Sequence, residues 1–405
     1  MAPYESDHAT GTGPDEDPRT GRRKAARYVV PVAVVGVAAA TIGLVPALAA
    51  SGDPDLPKIS AQQLIEKIAK SDVQRMSGTV KVSTDLGLPD LGSLQGAMGS
   101  GQESDGSSAD PRTKLTELTS GTHTLRVAAD GPEKQKVSLL ERDAEYSLIH
   151  DSKDVWGYDS ASNEVFHTTA QHSGDKGDKG DRGDRGEHRP ATPDDFAEEA
   201  LKSVDGTTSV TVDGTTRIAG RDAYQLVIKP RQAGSTVRDV TIGVDARTGL
   251  PLKFTLAPKS GGAPVLDVGF TKVSFAAPPA STFDFRPPKG AKVTEAKPGE
   301  DGGREHVAGL GEEFAPGGLS GADTIGEGWT TIAKFDAGAK GEKPSGQGGA
   351  MGGFLGSLGD PVSGGFGKGT VFSTRLVNAL ITDDGTVYAG AVTKDALVKA
   401  ADADK

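Results

Sequence analysis

The sequence predicts an α+β fold: an antiparallel β-meander with helices laid on its apolar face, preceded by one N-terminal transmembrane or signal segment. Three observations predict it. Residues 218–288 alternate apolar and polar side chains through four consecutive segments, which is the period of half-buried antiparallel strands. Two short amphipathic stretches, each opened by a capping residue, interrupt the strand-rich region and offer apolar stripes to lay on it. A charge-free run of 23 residues, 28–50, precedes all of this.

The chain of 405 residues has room for two or three domains. Its 56 glycines, 24 prolines and 5% aromatic content point to folded modules separated by segments that bury little. A net charge of −11 opposes phosphate backbones, so no nucleic-acid partner is expected. The absence of cysteine excludes disulfides, thiolate metal sites, a cysteine nucleophile and an acylated lipoprotein anchor.

Residues 1–27 are polar and end in a basic cluster that includes Arg22, Arg23, Lys24 and Arg27, and are read as a disordered cytoplasmic tail. The run 28–50 is long enough to span a hydrocarbon core of roughly 30 Å. Basic residues before it and Asp53 and Asp55 after it place the rest of the chain outside the cytoplasm. Two readings stay open, a single-pass cell-membrane anchor and a cleaved signal ending near Ala47-Leu48-Ala49-Ala50, after which the protein is secreted.

Within the main folded region, assigned to 57–293, residues 60–73 form the first helix, with Ser60 and Gln63 spaced as a capping box and Leu64, Ile65 and Ile68 on one face. A strand follows at 79–86. Residues 87–112 are a Gly/Ser-rich insertion in which Leu91, Leu94 and Met98 recur at helical spacing, leaving a plain insertion or a short amphipathic turn as alternatives. Five short strands are predicted at 123–129, 135–140, 145–150, 154–158 and 164–169. The second insertion, 174–189, carries repeated Gly-Asp-Lys and Gly-Asp-Arg triplets and reads as a solvated linker, since a few proline-free triplets cannot hold a collagen helix.

Thr192 caps a second helix with Pro193 in its first turn. Residues 207–218 read as a hairpin around Asp213-Gly214. Four strands come next, and the slip in apolar phase from Phe270 to Val273 and Phe275 predicts a β-bulge near Lys272. A linker is assigned to 294–326. A small C-terminal β-rich module, 327–405, is expected to hold strands at 329–335, 370–382 and 387–392 and a helix at 395–401.

Motifs for covalent chemistry are missing. The seven histidines are scattered without metal-ligand spacing, Gly367-Lys368 lacks the rest of a phosphate loop, and no serine sits in a G-x-S-x-G turn. No catalytic residue, metal site or cofactor is assigned, and the chain is read as a non-enzyme.

The order of elements resembles the LolA-like lipoprotein carrier family, which includes LolA, LolB and RseB-like proteins. The residues that carry the resemblance are "SGTV" at 77–80, "DVWGYD" at 154–159, "AGRDAYQLVIKP" at 219–230, "VDARTGLPLKFTL" at 244–256 and "FDFRPPKGAKV" at 283–293. The resemblance implies an incomplete antiparallel β-barrel, a half-barrel wrapped around helices, and with it an extracytoplasmic carrier in the bacterial envelope that holds acyl chains in an apolar half-barrel cavity. Its alternative is an RseB-like regulatory sensor that binds an anti-sigma factor or another membrane-bound envelope protein. The implied partners are therefore an acyl lipid or lipoprotein, and the membrane itself through the N-terminal segment. No arginine matches the family's lid-gating residue.

An open barrel offers more inner apolar surface than two short helices can fill, and a dry apolar cavity favours hydrocarbon. The residues predicted to line it are Tyr224, Leu226 and Ile228, then Val240, Ile242 and Val244, then Phe254, Leu256, Val268 and Phe270, with Trp156 from the earlier strands.

Overall fold

The computed structural model describes residues 53–87, 107–111, 114, 118, 120–169, 192–295, 323–336 and 359–404. The tail at 1–27, the segment 28–50 and nearly all of both insertions lie outside these residues. Among the described residues no helix is long and apolar enough to cross a membrane.

Helix α1 is Ala61–Ala69, shorter than the 60–73 predicted. Its start follows the expected chemistry: the Gln63 N–H donates to Ser60 Oγ at 3.2 Å, and the Ser60 N–H donates to Gln63 Oε1 at 2.9 Å. Helix α2 is Pro193–Lys202 and has the same device between Thr192 and Asp195.

Among the described residues twelve strands form one sheet. They are β1 (Arg75–Thr84), β2 (Gly121–Asp130), β3 (Lys134–Leu140), β4 (Glu145–Asp151), β5 (Asp154–Asp159), β6 (Glu164–Thr169), β7 (Thr208–Ile218), β8 (Arg221–Pro230), β9 (Val237–Asp245), β10 (Pro251–Pro258), β11 (Leu266–Ser274) and β12 (Lys292–Glu295). The spatial order is β12-β6-β5-β4-β3-β2-β1-β11-β10-β9-β8-β7. The first strand thus lies inside the sheet, with β2 to β6 laid down on one side of it and β7 to β11 returning from the far edge to close on it. Neighbours are antiparallel apart from β12, which runs parallel to β6. Among the described residues the edges β7 and β12 do not pair, so the sheet is an open, curved half-barrel.

The predicted hairpin around Asp213-Gly214 is not formed. Residues 208–218 are one edge strand, and the one extra residue is absorbed as a bulge where the register to β8 slips between Val212 and Thr215. Gly214 has the positive φ that a tight turn would use, but β8 offers a continuous ladder on both sides of it, and the ladder wins. The bulge predicted near Lys272 is present: Val80 pairs with Phe270 and Thr79 with Lys272, leaving Thr271 as the extra residue.

Because side chains alternate along each strand, the register defines two faces. The inner face carries two adjoining apolar clusters. One joins Val80, Val82, Leu125, Val127, Leu139 and Tyr146 to Leu252, Val268 and Phe270. The other sets Leu64 of α1 and Ala197 of α2 on the β8–β10 part of the sheet.

A six-stranded sheet follows, from β13 (Asp323–Ile325), β14 (Ile332–Asp336), β15 (Asp360–Gly364), β16 (Gly367–Ser373), β17 (Asn378–Thr382) and β18 (Thr386–Gly390), in the order β13-β14-β18-β17-β16-β15. Helix α3 (Lys394–Ala403) packs on it through Leu397, Ala400 and Ala401. The run predicted as one strand at 370–382 is two strands joined by a turn, in which Thr374 Oγ1 bonds the carbonyl of Val377. The region predicted as a strand from 329 opens instead as a short 3-10 turn, Gly328–Thr330.

The two sheets meet along a bonded seam. The Thr236 N–H donates to the Ala391 carbonyl at 2.9 Å, and the Thr393 N–H to the Gly234 carbonyl at 2.7 Å. Arg375 reaches from the smaller sheet to the carbonyls of Asp85, Gly261 and Ala263 and to the Asp85 carboxylate. Val237, Val265 and Leu376 are buried between the sheets, and the Trp329 indole N–H donates to Thr208 Oγ1 at 2.8 Å.

Candidate functional site

Ten of the eleven predicted cavity residues lie on the inner face. Tyr224, Leu226 and Ile228 of β8, Val240, Ile242 and Val244 of β9 and Phe254 of β10 are brought together in one cluster under α1 and α2. Leu256 is half-buried at its border and also touches the seam between the sheets. Val268 and Phe270 of β11 belong to the adjoining cluster.

Trp156 is separated from them. It pairs with Ile149 and His167, and the alternation that turns Leu139, Tyr146 and Gly157 inward turns these three outward. There the Trp156 ring stacks on His167 at 3.8 Å, and Phe285 lies 5.6 Å from it and 5.7 Å from Tyr158. The segment after β11, "FDFRPP" at 283–288, therefore passes over the outer face. Outward-facing Ile149 and Val165, and Phe283 itself, are buried there.

Two helical side faces fill the inner surface where α1 and α2 rest. Leu64 is fully buried, Ile65, Ile68, Leu201 and Val204 pack around it, and Phe196 lies 5.4 Å from Phe254. The neighbouring cluster is covered less completely. Val73, Met76, Val137, Leu148, Val273 and Phe275 are only partly buried against it. Met76 at the start of β1, Val273 at the end of β11 and Ile218 at the end of β7 mark one end of the sheet. This end is a half-exposed apolar rim.

A charged node sits at that rim. The Arg221 guanidinium donates to both carboxylate oxygens of Asp245, whose side chain is 1% exposed, and stacks 4.5 Å above the Phe275 ring. Asp245 also accepts the backbone N–H of Arg247 at 3.0 Å and of Thr248 at 2.7 Å, and the Thr248 hydroxyl at 2.9 Å. Burial works against its charge, but the Arg221 guanidinium and the Thr248 donors outweigh burial and hold the carboxyl below the usual aspartate range. This is what the Val-Asp-x-x-Thr-Gly-Leu-Pro motif builds. Its Gly249 (φ +79°) lies against the carbonyl of Lys67 at the end of α1, where a Cβ would meet that oxygen at 2.4 Å.

At the opposite end of the sheet, Glu164 ties three segments together. It accepts the Ser107 hydroxyl, the Ser108 N–H and hydroxyl, and the Lys292 ammonium of β12 at 2.8–3.0 Å. Lys292 first and then the Ser108 and Ser107 donors pull its carboxyl down to about 2. Sequence reasoning missed this residue and the Asp245 node. The motif spacing marked Asp245 as a turn residue, but no signal in the sequence places Glu164 opposite Lys292.

Among the described residues no group of three His, Asp or Glu side chains is arranged to hold a metal ion. No protein-family model and no curated protein matches the sequence. Solved structures do resemble it. The complex of MucA and MucB from Pseudomonas aeruginosa aligns at 15% identity over 84% of this chain and 96% of that one, with a TM-score of 0.36. An uncharacterised conserved protein from Thermus thermophilus aligns at 13% identity over 58% of this chain and 99% of that one, with a TM-score of 0.31. A LolA superfamily protein stands among them. It comes from Nitrosomonas europaea and aligns at 12% identity over 56% of this chain and 99% of that one, with a TM-score of 0.21. At such TM-scores the likeness does not speak to function, which rests on this chain's own residues.

Proposed function

We propose that the chain is a non-enzymatic, extracytoplasmic binding protein that takes an acyl chain, free or on a lipoprotein, against the inner face of its half-barrel. The observation that carries this reading is the half-exposed apolar rim formed by Val73, Met76, Val137, Leu148, Val273 and Phe275, continuous with a buried apolar face that crosses eight strands. A ligand enters at the rim, where side chains are already partly bare. It reaches Tyr224, Leu226, Ile228, Val240, Ile242, Val244 and Phe254 only as α1 and α2 shift off them. An acyl chain of about 16 carbons gains roughly 12 kcal/mol at about 0.8 kcal/mol per CH₂, so a long chain competes with the helices far better than a short one. Displacement of a fluorescent fatty-acid probe tests the reading. Wild-type protein is expected to bind the probe and Val137→Asp to bind it at least about tenfold more weakly, because a carboxylate on the rim must be desolvated. Equal binding by both, or none by either, contradicts it.

A second reading, a sensor that binds a membrane-bound envelope protein such as an anti-sigma factor, is favoured by the bonded seam, since a small shuttle has no need of a second sheet locked to the first. Cross-linking in cells that captures one membrane protein, and loses it when 323–404 is deleted, supports this reading. Capture that survives the deletion argues against it.

A further inference from the structure

The outer face carries a groove of about 470 Å³ over β1, β2, β3 and β11, on the side of the sheet away from the apolar clusters. The register arranges its floor in rows across the strands. One row runs Lys272, Thr79, Arg126, Ser138. The next row, two residues along, runs Ser274, Ser77, Ala128, Lys136. Thr282, from the segment that crosses the outer face, closes one side, and Glu145 of β4 stands at the other.

The bulge at Thr271 makes the groove. Phe270 points inward, so in an unbroken strand residue 272 would point inward too. The extra residue inverts the phase, turning Val273 and Phe275 to the rim and Lys272 and Ser274 to the groove. Gly78 allows the strands to close there, because a Cβ at this position would meet the Lys272 carbonyl at 2.5 Å.

Three cations and one carboxylate line the groove, in a chain whose overall charge is −11. Glu145 is already engaged: Arg126 stands 3.8 Å from it, and Ser147 Oγ donates to it at 2.9 Å. Among the described residues the lining is left with two positive charges in excess, beside hydroxyls on Ser77, Thr79, Ser274 and Thr282. A phosphate monoester carries a charge of about −1.5 to −2 near neutral pH and offers three acceptor oxygens to such donors. The volume lies in the range of small-molecule sites, about 300–1,000 Å³.

We infer that this groove binds a phosphate monoester of small-molecule size, with Lys272, Lys136 and Arg126 on the phosphate and the hydroxyls on the phosphate or the body attached to it. The site is independent of the acyl-chain reading, since it lies on the other face of the sheet. The phosphate has two sources, a free metabolite or the headgroup of a lipid such as phosphatidic acid.

The test is calorimetric titration of the full chain with glycerol 3-phosphate, with glycerol as the phosphate-free reference. Beside it, co-sedimentation compares phosphatidylcholine vesicles with and without phosphatidic acid. Saturable binding of glycerol 3-phosphate but not glycerol, weakening as salt rises, supports the site and a free ligand. Added sedimentation only with phosphatidic acid supports the site and a lipid source. Either signal is expected to fall at least about tenfold in Lys136→Glu/Lys272→Glu, which places like charge against the ligand, and to stay unchanged in Lys229→Gln, on a distant strand. The doubly reversed variant is compared at an unchanged melting temperature, with Lys136→Gln/Lys272→Gln as the milder substitution. No binding in either arm, or binding that the double variants leave intact, overturns the proposal.

Discussion

Replacing Asp245 tests how the rim of the half-barrel is held. Its buried carboxylate accepts from two guanidinium nitrogens, two backbone N–H groups and one hydroxyl. In Asp245→Ala the guanidinium loses its partner while it remains stacked on Phe275, and the turn at 245–249 keeps its backbone bonds but loses those from the carboxylate to Arg247 and Thr248. Breaking one side of a buried pair costs about 3–5 kcal/mol. Asp245→Asn keeps the shape and one acceptor oxygen but not the charge, and is expected to cost about 1–3 kcal/mol. Urea unfolding followed by circular dichroism measures both, read as a lower midpoint at unchanged slope. The sign of the pH effect follows from the lowered carboxyl. The stabilisation is fully present above the unfolded-state value near 3.9 and is lost as pH falls below that value through the folded-state one. Asp245→Asn therefore flattens the acid limb of the stability profile. A cost for Asp245→Ala within about 0.5 kcal/mol of zero, the range of ordinary surface substitutions, refutes the reasoning.

Two further outcomes are expected. Gly249→Ala puts a Cβ against a backbone oxygen of α1 in a left-handed conformation, so it should cost about 2–4 kcal/mol and loosen α1, visible as faster amide exchange at 61–69. Glu164 should release β12 and residues 107–108 as pH falls from about 4.5 towards 2, because the folded-state value lies below the unfolded one. Exchange rates at 292–295 read this, and Glu164→Gln should show the loosened state at neutral pH.

The alternation in 218–288 made β8 to β11 legible, and the phase slip at its end located the bulge, since a period of two leaves no other way to bring Phe270, Val273 and Phe275 to the same side. The inward set on β8 to β11 followed from the same parity. Trp156 did not. Parity separates the residues of one strand into two sets but does not say which set faces the helices, and an aromatic on β5 suits either face. The deciding fact is the crossing of Phe285 over the outer face, a contact 129 residues away in the chain. The bulge in β7 was read as a hairpin because Asp213-Gly214 has the composition of both, and only the long partner β8 decides between them. Strands such as Lys292–Glu295 and Asp360–Gly364 escaped notice because four or five residues with Lys, Pro or Gly carry no periodic signal of their own.

The central claim, an acyl chain on the inner face, is tested most directly by what the protein carries out of the cell. Protein purified in its native state without detergent exchange, then extracted and analysed by mass spectrometry, should yield an acyl lipid in near-stoichiometric amount, and Val137→Asp prepared in parallel should yield several-fold less. Lipid-free protein in repeated preparations, or the same lipid in equal amount on both, contradicts the account.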